Sequence, residues 1–247
     1  MPDEANFEAL NTLLWRCLQW EPSYEQLEQM ILLQQLLREW NSIVNLTRLV
    51  EGSDYWISQI VDSLWPLKYE LQTPNKSRQI IDIGTGCGFP GIAIAIALPG
   101  TKVTLVDSIR KKTTALIEIT KKLGLTDRIS IRTERVELTG QDQICRGQFD
   151  LAMARAVTTA PIAAEYLVPL LSPNGEALLY RGQWSQADKK SLKNALIHLK
   201  AIISKIESYE LPENRGRRHQ VRIKGISACP DKFPRAIGIP AKRPLGI

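Results

Sequence analysis

Beyond Gln79 the chain alternates short apolar runs with amphipathic stretches, and this rhythm predicts strands separated by helices. Strand candidates are Gln79–Ile83, Lys102–Val106, Arg128–Arg132, Phe149–Met153 and Glu176–Tyr180. Between them, helices are expected from about Pro90 to Leu98, over 109–123 and near Thr159–Leu171. The second of these carries Ala115, Leu116, Ile119 and Leu123 on one face. A helix near Gln186–Leu199 and two late strands, near Ala201–Tyr209 and His219–Ile226, complete the set. The expected fold class is α/β, a doubly wound, mostly parallel seven-stranded sheet with right-handed crossovers. Residues 231–247, rich in proline and glycine, are expected to be irregular.

Before Ser77 the period is helical. Leu10, Leu13, Leu14, Cys17 and Leu18 form one stripe. Ser23 and Gln26 make a capping box ahead of Leu27, Met30, Ile31, Leu33, Leu36, Leu37 and Trp40. A third helix is expected from Asp54 to Leu64, stopped by Pro66. Residues 41–47 lie between the last two as a polar, β-branched loop. The leucine and aromatic stripes read as core contacts.

Composition divides the chain at the same place. Residues 1–76 hold 5 Lys+Arg against 11 Asp+Glu, while 77–247 hold 27 against 15. The formal net charge of +6 is thus an acidic N-terminal part joined to a basic remainder. Five of the six tryptophans also fall in the first 65 residues. Two units are expected, a helical extension over 1–76 and an α/β domain over 77–247, the boundary marked by the turn-forming 72–77. The basic excess suits a polyanionic partner. No apolar run approaches the roughly 18 residues of a membrane span. The acidic start, Met1-Pro2-Asp3-Glu4, lacks the features of a secretory signal, so a cytoplasmic protein is expected. Four scattered cysteines and two histidines form no metal-ligand spacing, and no metal site is expected.

The most informative segment is Asp82-Ile83-Gly84-Thr85-Gly86-Cys87-Gly88-Phe89-Pro90-Gly91. It follows a strand, opens a helix and contains both G-x-G-x-G and the dinucleotide pattern G-x-G-x-x-G. Two details favour S-adenosylmethionine over a nicotinamide dinucleotide. Asp82 ends the strand and would meet a cationic amino group, whereas beside a pyrophosphate it would repel. Pro90 also removes one N–H from the helix start, where phosphate oxygens would need donors. Asp107, closing the next strand, is placed to take ribose hydroxyls with either cofactor.

The fourth strand runs Phe149-Asp150-Leu151-Ala152-Met153-Ala154-Arg155 and carries neither N-P-P-Y nor D-P-P-Y, the patterns of exocyclic amine methylation. Arg155 is expected at the mouth of the cleft. Guanine N7 has a lone pair and no proton, so its methylation needs alignment and no general base. No catalytic acid or base is assigned.

These residues resemble the bacterial 16S ribosomal RNA guanine-N7 methyltransferases, also called glucose-inhibited division protein B. The resemblance rests on Asn45-Leu46-Thr47, Asp62-Ser63-Leu64, the Asp82–Gly91 loop, Asp107-Ser108, Ala154-Arg155-Ala156 and the C-terminal Pro234-Arg235 and Pro240-Ala241-Lys242-Arg243-Pro244-Leu245. It implies a cofactor pocket built from Gly84, Phe89, Asp107, Ser108, Ile109, Val136, Glu137 and Arg155. Val136-Glu137 matches the segment that meets the adenine. The implied substrate is 16S rRNA or a small-subunit assembly intermediate, with no DNA and no membrane partner, and the protein is expected to be a monomer. Family members often carry His three residues before the aspartate of D-S-L; here the residue is Gln59. Arg110-Lys111-Lys112, Arg181 beside Trp184, and Arg215, Arg217, Arg218, Arg222 and Lys224 are candidate RNA contacts.

Overall fold

The computed structural model describes residues 14–246, so Met1–Glu4 and the Leu10 and Leu13 positions of the first stripe lie outside it. Seven strands form one sheet: β1 (Arg78–Ile83), β2 (Thr101–Asp107), β3 (Ile129–Thr133), β4 (Phe149–Arg155), β5 (Leu171–Arg181), β6 (Ala201–Glu210) and β7 (Arg217–Gly225). Their order is β3-β2-β1-β4-β5-β7-β6. The first five are parallel, and β7 inserts antiparallel between β5 and β6. The chain therefore works outward from β1 to β3, then returns to β4 on the other side of β1. That reversal opens a crevice between the carboxyl ends of β1 and β4, where ligands bind in open α/β sheets.

Strand period two divides the core. Ile80, Leu151, Met153 and Leu178 point into one apolar cluster, while Ile81, Ile83, Ala152, Ala154, Ala177 and Leu179 point into another. The first cluster is closed by α1 (Tyr24–Asn41), α2 (residues 52–64), α3 (Gly91–Ala97) and α4 (Arg110–Lys122). Its partners include Leu33, Leu37, Ile57, Leu64 and Ile94, so the helical extension and the sheet share one core. The second cluster lies under α6 (Ala160–Leu167), α7 (Gln186–Leu199) and the C-terminal Phe233 and Leu245.

Polar contacts join the extension to the sheet. Ser23 and Gln26 make the expected capping box at the start of α1. The same Gln26 donates from Nε2 to the carbonyls of Ile96 (2.9 Å) and Ala97 (3.2 Å), satisfying the otherwise orphaned end of α3. Arg222 on β7, one-tenth exposed, pairs with Glu70 (2.9 Å) and Glu176 (2.8 Å) and donates to the Pro66 carbonyl (2.7 Å).

Some elements differ from the sequence reading. The third N-terminal helix begins at Gly52, and its central stretch, Trp56–Val61, winds as a π-helix before a 3₁₀ turn through Pro66. The helix expected to reach Leu171 stops at Leu167, where Pro169 tightens the chain into a 3₁₀ turn. A short helix unseen in the sequence, α5 (Val136–Gln141), follows β3, and another, α8 (Ile239–Lys242), interrupts the C-terminal segment.

Candidate active site

Register brings the expected residues together. Ile83 pairs with both Val106 and Ala154, so Gly84, Asp107 and Arg155 end three neighbouring strands on one level. Arg155 in turn pairs with Tyr180 on β5. Above these ends lies a cavity of about 520 Å³, within the usual range for small-molecule sites. The glycine loop supplies Gly84 to Cys87 and Phe89 to its wall. Leu46, Thr47, Ser58, Gln59 and Asp62 come from the N-terminal helical part, and Lys112, Arg181, Arg218 and His219 complete it with Arg155. A larger open groove beside α1 lies away from the strand ends and is lined by Glu21, Glu25 and Glu28.

The loop needs glycine for two separate reasons. Gly84 has φ +63°, and a Cβ there would meet Val157 Cγ2 at 2.7 Å. At Gly91 a Cβ would stand 2.3 Å from Leu105 Cδ2 and 3.0 Å from Asp82 Oδ2, so helix α3 can start this close to the sheet only without a side chain. On the opposite strand end, Ala156 takes φ +55°, unusual for a residue with a Cβ, and turns the chain between Arg155 and Val157.

Two carboxylates hold the loop. Asp82 is fully buried, and its Oδ2 accepts from the Thr85 hydroxyl (2.7 Å) and the Gly91 N–H (2.9 Å). Its Oδ1 is buried with no partner. Burial pushes its pKa up from 3.8 to about 6, the two hydrogen bonds and Arg155 resisting. Asp107 accepts the Gly86 N–H on Oδ2 and the Ile109 N–H on Oδ1, both at 2.9 Å. A carboxylate has about four acceptor positions, so Asp107 retains capacity for ribose hydroxyls.

Arg155 is fastened from the N-terminal side. Its Nη1 donates to the Ser58 carbonyl and to Asp62 Oδ2, each at 3.2 Å, and its Nη2 donates to Gln59 Oε1. The guanidinium also lies 5.7 Å from the centre of the Phe89 ring, which stands nearly perpendicular to the Tyr55 ring. Asp62 reaches Arg218 on its other oxygen (3.4 Å). Burial raises the Asp62 pKa, and the two arginines pull against that rise.

Gly84, Phe89 and Arg155 line the cavity directly, and Asp107 borders it through Gly86. Ser108 and Ile109 are exposed just past β2. Val136 is half-buried at the start of α5. Glu137 turns inward, accepting from the Tyr166 hydroxyl (3.2 Å) and the Gly238 N–H (3.0 Å) and pairing with Arg135 (3.4 Å). Its side chain thus serves the packing of the C-terminal segment, leaving the backbone of this pair as the part able to meet a base. Asp82, expected to meet an amino group, is fully buried and holds Thr85 and the Gly91 N–H. Of the basic residues expected to meet RNA, Arg222 is buried, Arg215 is paired with Asp54 and Arg217 with Glu210 (2.5 Å). Gln59, Asp62 and Thr47 carry contacts that the spacing of residues gave no means to assign. The available signal was the run Trp56–Asp62, where Ser58, Gln59 and Asp62 interrupt an otherwise apolar helix face.

The fold recurs in solved structures. The cyclase SpnF superposes with a TM-score of 0.54 at 14% identity, covering 84% of this chain and 98% of that one. A branched-chain polyamine synthase mutein from Thermus thermophilus does so with a TM-score of 0.53 at 12% identity, covering 68% and 56%. Such low identities establish architecture alone. Sequence relatives go further. Ribosomal RNA small subunit methyltransferase G of Prochlorococcus marinus (strain MIT 9303) is 61% identical over 246 residues, covering all of both chains. The protein of the same name from Synechococcus sp. (strain WH7803) is 58% identical over 247 residues, covering all of this chain and 97% of that one.

The seven-stranded doubly wound sheet with a glycine loop at its switch point, taken with these full-length relatives, makes the protein an S-adenosylmethionine-dependent methyltransferase. The family described as GidB, rRNA small subunit methyltransferase G, matches residues 26–219, and the chain belongs to it. The nicotinamide reading of the same glycines is thereby set aside.

The residues present fit the cofactor. The glycine loop lets a ligand approach the backbone, Asp107 offers free acceptor positions, and the unpartnered Oδ1 of Asp82 leaves negative potential below the loop that suits a sulfonium and an ammonium group.

Proposed function

We propose that this protein transfers the methyl group of S-adenosylmethionine to N7 of a guanosine in 16S rRNA, in the cavity above β1 and β4. The observation that supports this best is the state of the cavity's carboxylate. Among the described residues lining it, Asp62 is the one carboxylate, and its two oxygens face Arg155 and Arg218. Both oxygens of that carboxylate are engaged by guanidinium groups, so neither is committed to taking a substrate proton, and attack by N7 requires no base. The cofactor supplies an electrophilic methyl on a cationic sulfur. Gly84 and Asp107 would hold it, with Phe89, Ser108, Ile109 and the Val136–Glu137 backbone around its adenosine end.

Arg155 carries five N–H donors, of which three contacts are made within the protein. Arg155 lines the cavity, and its two remaining donors suit guanine O6, next to the reacting nitrogen. Lys112, Arg181, Arg218 and His219 stand around the rim for the phosphates of a splayed loop. The Nε of Arg181 is buried without a partner, and the same guanidinium donates to the Thr158 carbonyl (2.6 Å). The substrate in this reading is naked 16S rRNA or a small-subunit assembly intermediate, met by a monomer in the cytoplasm.

Incubating the purified protein with methyl-labelled S-adenosylmethionine and either naked 16S rRNA or small-subunit particles tests the reading. About one methyl per rRNA is expected, strongly reduced in Asp107→Ala through lost cofactor affinity. No incorporation into either substrate would overturn it.

A further inference from the structure

We infer that Gln59 is a positioning residue whose amide holds the Arg155 guanidinium in its working orientation and ties it to the glycine loop. The inference rests on the methyl-transfer reading above and deepens it. Gln59 is 1% exposed and lies on the π-helical turn of α2. Its Oε1 accepts from Arg155, and its Nε2 donates to Thr47 Oγ1 (3.2 Å) and toward Cys87 Sγ (3.7 Å). One amide thus joins the 41–47 loop, the glycine loop and the end of β4, the last 96 residues from it along the chain.

Chemistry fixes which way round the amide sits. A guanidinium only donates, so the face toward Arg155 must be the carbonyl oxygen. The opposite face must then be the NH₂, which finds a hydroxyl and a thiol. Asp62 could hold Arg155 by charge alone, but it is shared with Arg218 and its geometry can be drawn either way. Gln59 is neutral and buried, and it contacts Arg155 without adding charge beside a cationic cofactor. It therefore fixes orientation where a second carboxylate would also change the field.

The requirement for an acceptor toward Arg155 and a donor toward Thr47 can be met by neutral imidazole and not by imidazolium, which only donates. Gln59→His accordingly tests orientation through pH. Other titratable or charged groups around Gln59 are Arg155 on β4, Cys87 on the loop, Asp62 on α2, Arg218 on β7, and Asp82 and Tyr180 beyond Arg155. All are present in native protein, so their titrations cancel in the ratio of variant to native rate.

The experiment measures methyl transfer to small-subunit rRNA and calorimetric affinity for S-adenosylmethionine, from pH 5 to 8, for the native protein, Gln59→His and Gln59→Met. Gln59→Met is expected to lower kcat by up to about 100-fold, the scale of a misplaced positioning group, with cofactor affinity little changed. Gln59→His should approach the native rate near pH 8, and its ratio to native should fall through a step at or below about pH 6.5 as the ring protonates beside Arg155. If Gln59→Met fails to fold, the Gln59→His ratio carries the test. A flat ratio, or native turnover in Gln59→Met, overturns the inference. Failure of the native protein to transfer any methyl is a distinct result, and it overturns the functional reading instead.

Discussion

Asp82 makes a stability prediction whose size follows from its burial. A carboxyl with a folded pKa near 6 and an unfolded value of 3.8 binds protons more tightly in the native state. Its contribution to stability is fully present below about pH 3.8 and is lost as pH rises through about 6. The shift of roughly 2.2 pKa units corresponds to about 3 kcal/mol of stability lost by neutral pH. Between pH 4.5 and 7.5, integration of that linkage gives a loss of about 2 kcal/mol. Asp82→Asn keeps an acceptor for Thr85 and Gly91 but does not titrate. Urea unfolding of both proteins across this range isolates the effect as a difference. The native protein should lose about 2 kcal/mol relative to the variant on going from pH 4.5 to 7.5. A difference that stays constant, or moves the other way, would refute the claim that burial dominates at Asp82.

Three further outcomes follow from the same contacts. The calorimetric affinity for S-adenosylmethionine should rise as pH increases through about 6, because ionised Asp82 attracts its cationic groups, and Asp82→Asn should flatten that rise. Gly84→Ala forces a Cβ into Val157 and keeps φ at +63°, so cofactor binding should weaken about 5- to 30-fold, the equivalent of ~1–2 kcal/mol, measured by calorimetry. Adding Val157→Ala should restore only part of it, since the backbone strain remains. Arg222→Met leaves Glu70 and Glu176 without their shared cation between the extension and the sheet, and should cost about 3–5 kcal/mol in urea unfolding.

The central strands were legible because their buried stretches are largely apolar, as in Ile80–Ile83 and Ala152–Met153, the pattern that two-sided burial demands. Turn chemistry located the glycine loop, and the loop located Asp107 and Arg155 as the ends of its neighbouring strands. Strand order was not legible. The insertion of β7 between β5 and β6 depends on pairings such as Leu179 with Val221, which no local period encodes. The short α5 escaped because Val136–Gln141 offers six residues, too few for a helical period to declare itself. The fastening of Arg155 by Ser58, Gln59 and Asp62 was hidden for a similar reason, since it joins segments more than ninety residues apart. The basic cluster near the C-terminus misled in part. Charge counts cannot tell Arg222, buried between two glutamates, from Arg218 at the cavity rim.

The position of the transferred methyl tests the central claim most directly. N7-methylguanosine carries a fixed positive charge that makes its glycosidic bond labile after borohydride reduction, so aniline then cleaves the chain at that nucleotide. The protein, S-adenosylmethionine and 16S rRNA or small subunits should yield a single new cleavage at one guanosine. Methyl incorporation without such cleavage, on an exocyclic amine or a ribose, would contradict a site that works by alignment without a base.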